Sequence, residues 1–155
     1  MAVEVGQPAP DFRLKGPGGQ FVTLSEYRGK QNVVLVFYPL AFSPVCSHQL
    51  PSLQQQLPDF EEHGAQILGI SVDSHYANEE FARKLGLGFP LLSDLKHEAA
   101  ERYGVLRPDA PVTERAVFLI DKQGLVRYKH VSPSPGDMEL IPKTEPMLKL
   151  LASLS

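Results

Sequence analysis

The chain has one cysteine, Cys46, and it closes the run Pro39-Leu40-Ala41-Phe42-Ser43-Pro44-Val45-Cys46. Ser43-Pro44 is a helix-start signal, with serine as N-cap and proline at the first helical position. Cys46 is then the third helical residue, beside first-turn N–H groups that have no partner inside the helix. Those donors and the positive end of the helix dipole favour a negative charge. A thiol so placed ionises readily, and the thiolate is the reactive form. Lowering a thiol pKa from ~8.5 to ~6 needs about 3.4 kcal/mol of preferential thiolate stabilisation, within reach of a helix start and one cation. The alternative is a small, buried, inert cysteine, the usual fate of a free thiol.

The elements around Cys46 decide between these readings. Val33–Tyr38 is an unbroken apolar, β-rich run that suits a strand buried on both faces of a parallel or mixed sheet. Pro39 ends it. A strand, a proline-marked loop and a capped helix start are the setting of a nucleophile. Pro51 conflicts with the helix that follows, because it removes a donor and crowds the carbonyl of Ser47; a kink or break is expected there. That helix then continues through Leu53 towards Gly64.

Upstream, Asp11–Leu14 and Phe21–Leu24 flank Pro17-Gly18-Gly19 as a β-hairpin, with a helical turn over Glu26–Arg28 capped by Thr23 or Ser25. Downstream, the pattern predicts a strand over Ile67–Val72, a helix over Ala77–Leu85 and a short strand over Phe89–Leu92. A helix opened by Ser93 or Asp94 follows and ends at Gly104, then a loop over Val105–Pro111. Arg115–Asp121 and Leu125–His130 form a hairpin around Lys122-Gln123-Gly124, Ser132–Pro142 is a proline-rich loop, and a last helix starts near Glu145. Periodicity alone makes this α/β with a mixed sheet.

The run from Pro39 to Cys46 resembles the peroxiredoxin pattern Pro-x-x-x-Thr/Ser-x-x-Cys, preceded here by Phe37-Tyr38. The opening Val5–Phe12, the segment Phe89–Asp94 and the segment Arg115–Asp121 resemble further landmarks of that family, so the likeness covers nearly the whole chain. It implies a thioredoxin-like fold, a mixed central sheet flanked by helices with an N-terminal β-hairpin extension, as one domain over 1–155. It implies a thiol-dependent peroxidase acting on hydrogen peroxide and small alkyl hydroperoxides. Cys46 attacks the terminal peroxide oxygen and becomes a sulfenic acid. Ser43 hydrogen-bonds the peroxide or thiolate, Pro39 shields the centre, and Arg115 supplies the stabilising cation. Pro39, Phe42 and Val45 form the substrate pocket.

Each role has a plainer alternative: Ser43 as a helix cap alone, Arg115 as a solvated strand residue, Pro39 as a strand terminator. Gln49 stands where many family members carry glutamate, which puts a carboxylate–arginine network in doubt. With no second cysteine, the resemblance is to one-cysteine peroxiredoxins of the bacterial alkyl-hydroperoxide-reductase-E and bacterioferritin-comigratory-protein groups. An external thiol (a thioredoxin-, glutaredoxin- or mycoredoxin-like protein, or a small thiol) must then reduce Cys46. A homodimer packing around Leu40–Phe42 and Val105–Pro111 is also expected. The competing function is a thioredoxin-fold binding or chaperone-like module with an inert cysteine.

Bulk properties agree with a globular enzyme. The 155 residues are 43% hydrophobic and 21% charged, with a net charge of −3. No run of Lys or Arg exceeds two residues, so neither a nucleic acid nor an anionic membrane is an expected partner. The longest apolar stretch, Val33–Phe42, contains a proline and is too short to span a bilayer. The opening MAVEVGQPAPDF lacks a basic region followed by an apolar block, and with one cysteine the expected location is the cytoplasm. One cysteine and scattered histidines lack zinc spacing, the glycine pairs lack a phosphate-loop lysine, and no cofactor is expected. His48, two positions past Cys46 on a helix, points about 200° away and reads as a polar-face residue rather than a general base.

Overall fold

The computed structural model describes residues 3–42, 46–132 and 144–154. Its centre is β3 (Asn32–Phe37), every residue of which is buried. Alternation across the pleat explains the apolar run: Val33, Leu35 and Phe37 enter one core cluster, and Val34, Val36 and the following Tyr38 enter the other. Both faces are therefore apolar from Val33 to Tyr38, and the one polar residue of the strand, Asn32, stands buried at its start.

Seven strands form one mixed sheet in the order β2-β1-β5-β4-β3-β6-β7. β4 (Ala65–Ser71) and β5 (Leu91–Ser93) run parallel to β3, whereas β6 (Ala116–Ile120) lies antiparallel on its other side and pairs with β7 (Val126–Val131). The N-terminal hairpin, β1 (Arg13–Lys15) and β2 (Phe21–Thr23), turns through Pro17–Gly19 and joins the sheet by one pair, Lys15 with Ser93. α1 (Cys46–Gln55), α2 (Leu57–Glu62), α3 (His75–Leu85) and α5 (Glu145–Leu154) contribute Leu50, Leu53, Phe60, Phe81, Met147 and Leu151 to one core face. α4 (Glu98–Tyr103) covers the other, where Tyr103 sits 5.1 Å from Phe118 and 5.5 Å from Phe37, ring centre to ring centre.

Several boundaries differ from the expectations, each for a local reason. α1 runs through Pro51 without interruption, and the break falls at Gln56. Pro51 costs one donor, but its neighbours Leu50 and Leu53 are 0% and 3% exposed and hold the helix down. Pro58, the second residue of α2, has no N–H to offer the preceding turn, so the helix stops before it. Thr23 takes the N-cap of the turn Leu24–Tyr27 without a side-chain bond; the Ser25 N–H donates to Asp11 Oδ1 instead, at 2.9 Å. α3 starts two residues earlier than predicted because Ser74 Oγ accepts from the Ala77 N–H. The short strand is Leu91–Ser93 rather than Phe89–Leu92. Most of the expected loop Ser132–Pro142, residues 133 onward, lies outside the described residues.

Asp94 does serve the next helix, though from four positions before its start: its carboxylate accepts from the N–H groups of Ala99 (3.1 Å) and Ala100 (2.8 Å). Burial raises its pKa above the ordinary 3.8, more than the backbone N–H bonds and nearby His97 lower it. A raised folded value means a contribution to stability that is full below the unfolded pKa and is lost as pH rises through the folded one. The stability of the wild type minus that of Asp94→Asn, from urea unfolding between about pH 3 and about pH 7, should therefore decrease with rising pH. An increase would show that the backbone bonds outweigh burial.

Candidate active site

Parallel strands deliver their outgoing loops to one end of a sheet, where α/β proteins build their sites. β3 and β4 are in register from Asn32 with Ala65 to Phe37 with Ile70, so the segment that leads to Cys46 departs beside the β4–α3 loop. Pro39 is half-buried at the start of that segment. Phe42 is 45% exposed with φ 65°, a left-handed conformation uncommon for an aromatic residue. Its ring lies 5.0 Å from that of Phe81, and Lys84 Nζ sits 5.7 Å from it. Ser43, Pro44 and Val45, the expected cap, first helical residue and pocket residue, lie outside the described residues; α1 is described from Cys46 onward.

Arg115 is not the solvated residue that its type would suggest. It is 1% exposed, just before β6, and its carbonyl accepts from the Ser132 N–H. Because β6 is antiparallel to β3 and Ala116 pairs with Phe37, the topology brings Arg115 to the end of β3 from which the cysteine segment leaves. Its guanidinium Nη1 donates to Gln49 Oε1 at 2.5 Å, and Gln49 is itself 2% exposed. Gln49 lies three residues past Cys46, so positions 46 and 49 are neighbours on one face of α1. Glutamine thus keeps a hydrogen bond to the arginine but supplies no carboxylate charge. His48 is exposed, as a polar-face residue should be.

A second set of bonds, absent from the sequence reading, ties the cysteine segment to β4 and α3. Asp73 Oδ2 accepts from the Ala41 N–H at 2.7 Å and from Ser71 Oγ at 2.8 Å. Ser93 Oγ donates to the Asp73 carbonyl at 2.7 Å. Deeper, the Tyr38 hydroxyl donates to Asn78 Oδ1 at 2.6 Å, and Asn78 Nδ2 donates to the Leu92 carbonyl. Thr113 Oγ1 donates to the Tyr38 carbonyl from the other side. No local motif marks Asp73; its place just after the strand expected over Ile67–Val72 was the available signal, since such strand ends carry sites.

Residues 5–129 match the model of the AhpC/TSA family. The chain belongs to that family, the peroxiredoxins. Alkyl hydroperoxide reductase E of Mycobacterium tuberculosis is 39% identical over 138 residues, covering 88% of this chain and 90% of the relative. Peroxiredoxin-2 of Cricetulus griseus is 41% identical over 141 residues, covering 84% of this chain and 71% of the relative. Among solved structures, peroxidoxin BcpB from Mycobacterium tuberculosis superposes with a TM-score of 0.84 at 28% identity, covering 97% of both chains. The reduced 2-Cys peroxiredoxin of Plasmodium vivax gives 0.83 at 32%, covering 96% of this chain and 80% of that one. The fold is thus the thioredoxin-like peroxiredoxin fold with its N-terminal hairpin, and family membership supports thiol-dependent peroxide reduction.

Among the described residues of this peroxiredoxin no cluster of three His, Cys, Asp or Glu side chains could hold a metal ion, and no helix is long and apolar enough to cross a membrane. The buried Arg115–Gln49 bond has a measurable cost of removal. Gln49→Leu takes an acceptor from a buried guanidinium and should lower unfolding free energy by about 1.5–3 kcal/mol. Gln49→Glu restores an acceptor and should recover most of that loss. Denaturant midpoints at constant m-value provide the comparison.

Proposed function

We propose that this chain is a one-cysteine peroxidase that reduces hydrogen peroxide and small alkyl hydroperoxides through a sulfenic acid on Cys46. The observation that carries the reading is the buried Arg115 guanidinium, hydrogen-bonded one turn beyond Cys46 on the same face of α1. A cation held there in a low-dielectric setting favours a thiolate at the helix start and stabilises charge passing between the peroxide oxygens. Arg115 serves because its planar fork is fixed and always charged. Ser43 hydrogen-bonds the peroxide or thiolate, while Pro39, Phe42 and Val45 shape the pocket.

In the reaction, the Cys46 sulfur forms a bond to the terminal peroxide oxygen as the O–O bond breaks. The sulfur is oxidised to S–OH and the other oxygen leaves, protonated, as water or alcohol. The chain holds no second cysteine, so an external thiol closes the cycle. A cytoplasmic enzyme that pairs as a homodimer through the exposed Leu40 and Phe42 and the segment 105–111 completes the proposal; a monomer in sedimentation at micromolar concentration would remove the dimer.

Hydrogen-peroxide consumption with dithiothreitol should vanish in Cys46→Ser and persist in the wild type. Persistence in Cys46→Ser would overturn the assignment. Alkylation rate against pH should show a Cys46 midpoint below the ~8.5 of a free thiol. Arg115→Ala should move that midpoint upward, and Arg115→Lys should recover part of the shift. One equivalent of peroxide should add one oxygen to Cys46 by mass spectrometry.

A further inference from the structure

The N-terminal hairpin meets the rest of the sheet by one residue pair, Lys15 with Ser93, and the surface opens beside that pair. The opening is a cleft of about 770 Å³ between the hairpin, the start of α3 and the β5–α4 loop. Its walls carry Arg13, Lys15 and Lys96 beside three exposed apolar side chains: Phe21 (47%), Tyr76 (73%) and Leu95 (62%). The Arg13 guanidinium carbon lies 3.7 Å from the centre of the Phe21 ring and Lys15 Nζ lies 5.9 Å from it, so the ring is flanked by cations. Of the two carboxylates in the lining, Asp94 is occupied by backbone N–H groups of α4, and Glu98 is exposed. A chain of net charge −3 has here gathered positive charge around exposed apolar surface. Neither the proposed peroxide chemistry nor the core uses these side chains.

The cleft opens at the end of the sheet where the cysteine segment lies. Phe37, Ile70 and Leu92 are in register across the parallel strands β3, β4 and β5. Two strand spacings, roughly 10 Å, separate the end of β5 from the end of β3. Asp73, which holds the Ala41 N–H, directly precedes Ser74 and His75 in the cleft wall.

We infer that this cleft docks an acidic protein segment with an aromatic or aliphatic anchor, and that the thiol protein that reduces Cys46 supplies it. Carboxylates of the segment face Arg13, Lys15 and Lys96, its anchor lies against Phe21, Tyr76 and Leu95, and its thiol is held near the end of β3. Charge complementarity chooses this occupant over a basic or purely apolar one. The partner's thiol sulfur bonds to the Cys46 sulfur as the S–OH bond breaks, releasing water and leaving a mixed disulfide. A second thiol then attacks the partner's sulfur, carrying away the disulfide and returning the Cys46 thiol. This chemistry rests on the one-cysteine reading above; docking does not.

The probe is a fluorescein-labelled nonapeptide of glutamates around one phenylalanine and one leucine, with a terminal cysteine, beside a twin with lysine for glutamate. Anisotropy with the reduced wild-type protein and a cysteine-blocked probe should give saturable binding of the acidic peptide. Binding should weaken as salt rises and be lost in Arg13→Glu/Lys96→Glu. Stopped-flow reduction of the peroxide-treated protein, referenced in each variant to 2-mercaptoethanol, should favour the acidic peptide over its twin by about tenfold or more at low salt. Lys15→Gln/Lys96→Gln, a milder change, should lose part of that preference. Equal rates for the two peptides, or binding indifferent to both double substitutions, would overturn the docking site. If Cys46 gives no sulfenic acid, the anisotropy result still decides docking, and the peroxidase reading fails by itself.

Discussion

Burial of β3 on both faces is the constraint from which the site follows. A six-residue strand with no exposed position must have strands on both edges and helices or loops on both faces. β4 and β6 meet the first demand, one parallel and one antiparallel. The parallel neighbour sends Asp73 to the end of β3, and Arg115 stands there just before the antiparallel neighbour begins. The two polar groups that frame the cysteine segment thus arrive by strand direction, from opposite edges of one strand. The apolar packing that fixes β3 thereby fixes the strand ends from which these two residues come.

Buried and half-buried polar groups at this end of the sheet are bonded to one another rather than left facing the core. Tyr38, Asn78, Ser71, Asp73 and Thr113 exchange hydrogen bonds between β3, β4, α3 and the segment before β6. In a low-dielectric surrounding such groups are costly if unpaired, so each bond specifies a geometry as well as contributing to it. Among the described residues of the cysteine segment, Ala41 is held through its backbone N–H, a contact that does not depend on the side chain at that position.

The sequence was most legible where one residue type does one job. Val33–Tyr38 announced a doubly buried strand, and two helices end at the glycines that follow them, Gly86 and Gly104, which the structure shows in the left-handed conformation. The hairpins around Pro17–Gly19 and Lys122–Gly124 were equally plain. Legibility failed where a distant group substituted for a local one. Asp11 serves the turn that Thr23 or Ser25 was expected to cap, and Asp94 serves a helix from four residues before it. Pro51 was read by its intrinsic cost, which the flanking buried leucines override. At the site, the cysteine motif and Arg115 stood out in the sequence through family resemblance, whereas Asp73 and the cleft depend on strand order and no local pattern encodes them. Family resemblance set Gln49 beside an arginine network, but that the two residues meet across 66 positions follows only from β6 lying along β3.

That last separation has a consequence for how the protein is made. Cys46 and α1 leave the ribosome well before Arg115, because synthesis runs from the N-terminus and β6 follows β3, β4 and β5 in the chain. A nascent chain can pair its three parallel strands and wind α1 while the guanidinium is still untranslated. Only when β6 docks along β3 does Arg115 reach Gln49. Whatever the cation does for position 46 is therefore withheld from incomplete and truncated chains. The long-range bond thus forms only in a chain whose strands on both edges of β3 are in place.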